Sequence, residues 1–151
     1  MRTITHFIDG ATAPQPGRSS NVFAPTTGQV QAQVELADLD LLNRAVASAK
    51  AAQVEWAAFN PQRRARVMFN FKALIEANMQ ELAELLASEH GKVVSDAKGD
   101  IQRGLDVVEF ACGIPHLLKG EYTQGAGPGI DVYSMRQPLG VAAGITPVNF
   151  P

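Results

Sequence analysis

The sequence predicts a mixed α/β fold in which a helical front precedes a parallel sheet that is only beginning. Three observations carry this reading. Residues 30–36, "VQAQVEL", alternate apolar and polar, as a half-buried strand does. Residues 38–113 hold long apolar stripes at helical spacing. Residues 139–145, "LGVAAGI", are apolar on both faces, as a strand inside a parallel sheet is.

Each element has its own signal. "ITHFID", residues 4–9, reads as a short strand closed by the Asp9-Gly10 turn pair. Residues 11–29 carry Pro14, Pro16, Gly17, Pro25 and Gly28 among Ser and Thr, and read as irregular surface chain. Asp38 is placed to cap a first helix, with Asp40 at its positive N-terminal end, and that helix runs to about Trp56. Asn60 and Pro61 open a second helix as cap and first residue. Val67, Phe71, Leu74, Ile75, Leu82, Leu85 and Leu86 keep one apolar face from there to Gly91, so a single long helix is expected. A third helix spans about Ser95 to Gly113, with Ile101, Leu105, Val108 and Cys112 on its core face. "GEYTQGAGPG", residues 120–129, reads as a turn-rich connection, and "IDVYSMRQ" as an antiparallel strand ended by Pro138.

Composition narrows the function. The chain has 151 residues, 46% hydrophobic and 19% charged, with a net charge of −2. That suffices for one domain with a sizeable core. No basic tract interleaves with aromatics, so nucleic acid is not an expected partner. Arg63, Arg64 and Arg66 read as the solvated face of a helix start. Cys112 is the one cysteine, and it reads as a small apolar filler of the core stripe, not a nucleophile. One cysteine allows no disulfide within the chain, which suits a reducing compartment. The first residues show no secretory or transit pattern, and no run of 18 apolar residues occurs. A cytoplasmic protein without a membrane partner is the expectation. His6, His90 and His116 are scattered without metal-ligand spacing, and G-x-G-x-x-G and Walker patterns are absent.

Two places could carry chemistry. "ITPVNFP" follows the carboxyl end of the apolar strand, where open α/β sheets bind ligands. Pro147 and Pro151 stiffen it, and Asn149 between them offers an amide that can stabilise an oxyanion. An Asn at that point equally caps a turn or the next helix. The second place is Arg103, roughly 200° around the third helix from the core residue Ile101. Val107 and Phe110 flank it, which suggests partial shielding. Asp100 and Asp106 could pair with it at three residues' distance, or it could bind a ligand carboxylate through two parallel hydrogen bonds.

The ending "QPLGVAAGITPVNFP" resembles the entry of aldehyde dehydrogenases into their cofactor-binding sheet. "FIDG", "ASEHGK" and "AKGDIQRGLDVVEFACG" stand in the order that this family has. The block "RRARVMFNFKALIE" to "VEFACG", with "GITPVNFP", is most similar to the CoA-acylating methylmalonate-semialdehyde dehydrogenase branch.

The resemblance implies the N-terminal part of an aldehyde dehydrogenase fold. Residues 1–120 would be the front of a Rossmann-like NAD-binding domain, residues 121–139 an oligomerisation strand, and residues 140–151 the start of the dinucleotide-binding sheet. The catalytic domain and its nucleophilic cysteine would lie further on, so the 151-residue piece alone is expected to be inactive. The implied reaction is oxidation of malonate or methylmalonate semialdehyde with NAD as cofactor and coenzyme A as co-substrate. Acetyl-CoA or propionyl-CoA would form with loss of CO2, in a homo-oligomer. The resemblance gives Asn149 the oxyanion role, Arg103 the substrate carboxylate, and Thr146 and Val148 contacts with NAD. Val148 stands where related sequences carry a bulky aromatic, and Asp100 where they carry Glu. Two alternatives stay open at this point: a non-acylating aldehyde or semialdehyde dehydrogenase that releases a free acid, and a non-catalytic helical interaction module.

Overall fold

The structure, a computed structural model, describes residues 1–149. The expectation that Pro151 stiffens the last loop therefore lies outside the described residues. The chain opens with β1 (Arg2–Ile4), β2 (His6–Ile8), β3 (Ala11–Ala13), β4 (Ser19–Phe23) and β5 (Val30–Glu35). Strand β5 is the centre of a three-stranded sheet, with β1 parallel on one side and β4 antiparallel on the other. β2 and β3 form a separate hairpin. Asp9 and Gly10 take φ of 56° and 74° in its two-residue turn, the left-handed pair that such a tight hairpin demands.

Two readings of this region are corrected. The single strand expected over 4–9 breaks at Thr5, β1 joining the sheet and β2 the hairpin. Residues 11–29 are not wholly irregular, since β3 and β4 lie within them. "SSNVF" has little strand character of its own; its pairing with β5 supplies the order, as cross-strand context overrides propensity.

The helices follow: α1 (Leu39–Ala58), α2 (Pro61–Ala77), α3 (Met79–His90), α4 (Val94–Cys112) and the single turn α5 (Ile114–Leu117). The Asp38 carboxylate accepts from the Leu41 N–H at 2.8 Å, and the Asn60 side chain accepts from Arg63 N–H at 2.8 Å. Both expected caps are formed. The expected long helix is instead two. At Asn78 the backbone turns to φ −110°, ψ 16°, and the side-chain amide donates to the Leu74 carbonyl at 2.7 Å. A short polar side chain that bonds the carbonyl four residues back competes with the helical ladder, which explains the break. Gly91 ends α3 in the left-handed region, φ 86°, as a helix-stopping glycine does.

The core of the helical part lies where α4 crosses α2 and α3. Its buried residues are small or few: Ala65 on α2, Ala83 on α3, and Ala97, Leu105 and Cys112 on α4. Cys112 is thus the core filler its position suggests. The apolar stripe expected for the long helix is only partly core. Ile75, Leu82 and Leu86 are half-buried, whereas Val67, Phe71, Leu74 and Leu85 are exposed. Alanines supply most of the buried positions, and several of the larger residues face outward.

Hydrogen bonds tie the sheet to this bundle. Arg2 pairs with Glu89 at 2.5 Å, and Gln31 bonds Ser88 through both side chain and backbone.

The last part is a hairpin of β6 (Tyr122–Gly127) and β7 (Ile130–Tyr133). The connection expected at 120–129 is therefore mostly β6, and the strand expected over 130–137 stops at Tyr133. Asp131 holds the hairpin together, accepting from the Tyr122 hydroxyl and from the Gly125 N–H. Among the described residues after Tyr133 there is no strand. The apolar segment 139–145, expected as a buried strand, has no regular secondary structure and is exposed to solvent, with Leu139 and Ile145 bare. An inner strand of a parallel sheet needs a ladder on both edges. No such pairing reaches this segment among the described residues.

Candidate functional site

The site is built from two places in the chain, and the first is the junction of α3 and α4. Gly91 reverses the backbone at the end of α3, and its N–H bonds the Ala87 carbonyl at 2.8 Å. A side chain at Gly91 would meet the ring of Pro25 at 2.9 Å, so the reversal also packs against the loop before β5. Lys92 follows at once, and α4 begins two residues later. That short link brings the Lys92 ammonium onto the first turns of α4.

There it meets Asp100, whose carboxylate is only 4% exposed. Lys92, itself 11% exposed, donates to Oδ2 of Asp100, and its Nζ lies 3.6 Å from the Asp96 carboxylate. The other carboxylate oxygen, Oδ1, accepts from Nη1 of Arg103 at 3.3 Å. The hydrogen bond that Lys92 donates to Asp100 raises the Lys92 pKa above its ordinary value, outweighing the opposing effect of desolvation. Asp100 thus bridges two cations from within the protein.

Arg103 reaches outward from this anchor. Its side chain is 69% exposed, and Val107 and Phe110 beside it are exposed as well. The partial shielding expected from the sequence is not found among the described residues. The apolar face that would shield Arg103 is itself bare. Of the two carboxylates weighed as its partner, Asp100 accepts from Arg103, and Asp106 accepts from Gln102 at 2.8 Å.

The second place is the tail. Thr146, Val148 and Asn149 are all exposed, and a turn begins at Val148. Upstream, Gly140, Val141 and Ala142 run beside the second half of α1, where Ala52, Trp56 and Phe59 complete a groove of about 530 Å³. The three tail residues come together through sequence proximity, Arg103 meets Asp100 through helical spacing on α4, and the Gly91 link brings Lys92 to Asp100. Among the described residues, no group of three or more His, Cys, Asp or Glu is placed to hold a metal ion. No helix of the described chain is long and apolar enough to cross a membrane.

Lys92 is the site residue that sequence reasoning passed over. The available signal was its place directly after a helix-stopping glycine and just before the next helix. A long side chain there folds back onto that next helix.

The chain matches the model of the aldehyde dehydrogenase family over residues 12–151, and it belongs to that family. Its similarities are narrower than the family. A solved structure from Sinorhizobium meliloti, assigned as a methylmalonate-semialdehyde dehydrogenase and complexed with NAD, shares 62% identity at a TM-score of 0.95. It is matched over 100% of this chain and 31% of its own. Malonate-semialdehyde dehydrogenase of Pseudomonas aeruginosa is 46% identical over 151 residues, 100% of this chain and 30% of that protein. The acylating, mitochondrial methylmalonate-semialdehyde dehydrogenase of Arabidopsis thaliana is 45% identical over 131 residues, 87% of this chain and 22% of that protein. The chain therefore spans about 30% of the length of the first relatives it matches.

Proposed function

We propose that a complete enzyme with this front part oxidises malonate or methylmalonate semialdehyde and passes the acyl group to coenzyme A. Semialdehyde, NAD and CoA would give NADH, CO2 and acetyl-CoA or propionyl-CoA. The observation that carries the substrate reading is Arg103, an exposed guanidinium whose Nη1 donates to a buried carboxylate. A guanidinium in that setting binds a second carboxylate well, because its planar fork matches carboxylate geometry. The substrate class has one carboxylate to offer.

Asn149 is assigned the oxyanion role. Its exposed amide, at a turn stiffened by Pro147, is available to donate to the aldehyde oxygen as charge develops there. Thr146, through its backbone, and Val148 are assigned to the edge of a dinucleotide, and both residues are exposed. Bound NAD would supply the hydride acceptor. Residues 121–139, which include the exposed hairpin β6–β7, are proposed as the element that joins subunits, and residues 140–151 as the entry to the dinucleotide-binding sheet.

The test is a product assay on the complete protein. With malonate semialdehyde, NAD and CoA, NADH and acetyl-CoA should form in equal amounts. Free malonate with no thioester would replace this reading by the non-acylating one. Arg103→Leu should lower kcat/KM for malonate semialdehyde about 100-fold, and that for propanal far less. Equal losses on both would remove Arg103 from substrate selection.

A further inference from the structure

Asp100 is a buried carboxylate that the reaction as described does not use. Burying an ionised carboxylate is costly unless it is paired and hydrogen-bonded, so its position on α4 needs a reason beyond filling space. Both of its oxygens are spent on cations. Oδ2 takes the Lys92 ammonium from the link between α3 and α4, and Oδ1 takes Nη1 of Arg103 one turn further along α4 at 3.3 Å. The side chains of Lys92 and Asp100 are largely buried, at 11% and 4% exposure, and that of Arg103, at 69%, faces solvent.

We propose that Asp100 is the positioning residue of the Arg103 guanidinium, and that Lys92 is the counter-charge that lets a carboxylate sit at that buried point. This rests on the reading of Arg103 as the side chain that binds the substrate carboxylate. A long arginine side chain loses considerable rotamer freedom when it binds, and an anchor that fixes it beforehand removes part of that cost. Anchoring one N–H does not exhaust a group with five donors, so Arg103 held by Asp100 can still grip a second carboxylate. The arrangement aids only substrates that carry an anion, and a neutral aldehyde gains nothing from it.

The experiment compares complete enzymes with Asp100→Asn, Asp100→Glu and Arg103→Leu on malonate semialdehyde and on propanal. Asp100→Asn should raise KM for malonate semialdehyde about tenfold and leave kcat much less changed, with a far smaller effect on propanal. Asp100→Glu should recover most of the loss, because the charge is kept. In an Arg103→Leu background, Asp100→Asn should no longer alter the ratio between the two substrates. Asp100→Asn losing equally on both substrates, or retaining the parent ratio, overturns the positioning role. If Arg103→Leu shifts the ratio while Asp100→Asn does not, the reading of Arg103 stands and this proposal falls. If neither shifts it, both fall. Should Asp100→Asn not fold, the Lys92→Gln, Asp100→Asn double variant replaces the ion pair by a neutral pair of similar size. It must show the same selective rise in KM, and an unaltered substrate ratio in it also overturns the proposal.

Discussion

Residues 1–118 and residues 119–149 are built on different terms. The front joins distant segments: β5 pairs on both edges, α4 packs on α2 and α3, and Arg2, Gln31, Ser88 and Glu89 stitch sheet to bundle. In the rear every residue except Gly127 is exposed, and the hairpin is held mainly by its own ladder and by Asp131. The hydrophobic composition of the rear is not the cause, since Ile130, Val132, Leu139, Val141 and Ile145 are all apolar. What differs is whether the partners of those apolar groups lie within the described residues. A sequence pattern states that a segment is to be buried; it does not state against what.

The largest contrast should appear on truncating one apolar side chain in each region. Leu105→Ala, at a site 4% exposed between the helices, should cost about 2–5 kcal/mol in urea unfolding. Val132→Ala, 51% exposed in the hairpin, should change the stability of the chain by less than about 0.5 kcal/mol. Comparable losses would show that the two regions unfold as one unit.

A smaller contrast is expected from two glycines. Gly91→Ala places a side chain at φ 86° and against the Pro25 ring, and should cost about 1–2 kcal/mol globally. Gly120→Ala would bring its Cβ to 1.8 Å from the Ser134 carbonyl oxygen, so the mouth of the hairpin must open. Hydrogen exchange should then speed up at Ser134, whose N–H bonds the Glu121 carbonyl at 2.9 Å, while the amides of α4 keep their protection.

The smallest effect is on pH dependence. The Leu41 N–H, with help from Gln15, lowers the Asp38 pKa below 3.8, and the Tyr122 hydroxyl and Gly125 N–H lower that of Asp131. A carboxyl whose folded pKa is depressed stabilises fully above its unfolded value and loses that contribution as pH falls through the folded one. Asp38→Asn should therefore flatten the acid limb of global stability below about pH 4, whereas Asp131→Asn should flatten only the protection of the hairpin amides.

Much of the front was legible because its signals are local. Asp38, Asn60, Pro61, Gly91 and the Asp9-Gly10 pair each fix backbone within a few residues, and each does what its chemistry requires. The break at Asn78 was not legible, because seven apolar residues in register outweighed one asparagine whose side chain turns back on Leu74. β4 was hidden because its order comes from β5 and not from its own residues. In the site, Asp100 was legible as a partner of Arg103 from its spacing alone. Lys92 was not, because its reach to Asp100 depends on how the Gly91 link folds. The exposure of Arg103 was misjudged, since Val107 and Phe110 read as cover for it, and in the structure they too face solvent.

The central claim is that this part of the chain supplies the group that stabilises negative charge on the reacting oxygen, and kcat of the complete Asn149→Ala enzyme on malonate semialdehyde tests it most directly. The account predicts a fall of about 10²–10³ in kcat with KM little altered, as removal of one oxyanion donor produces. A kcat within about twofold of the parent enzyme would contradict it.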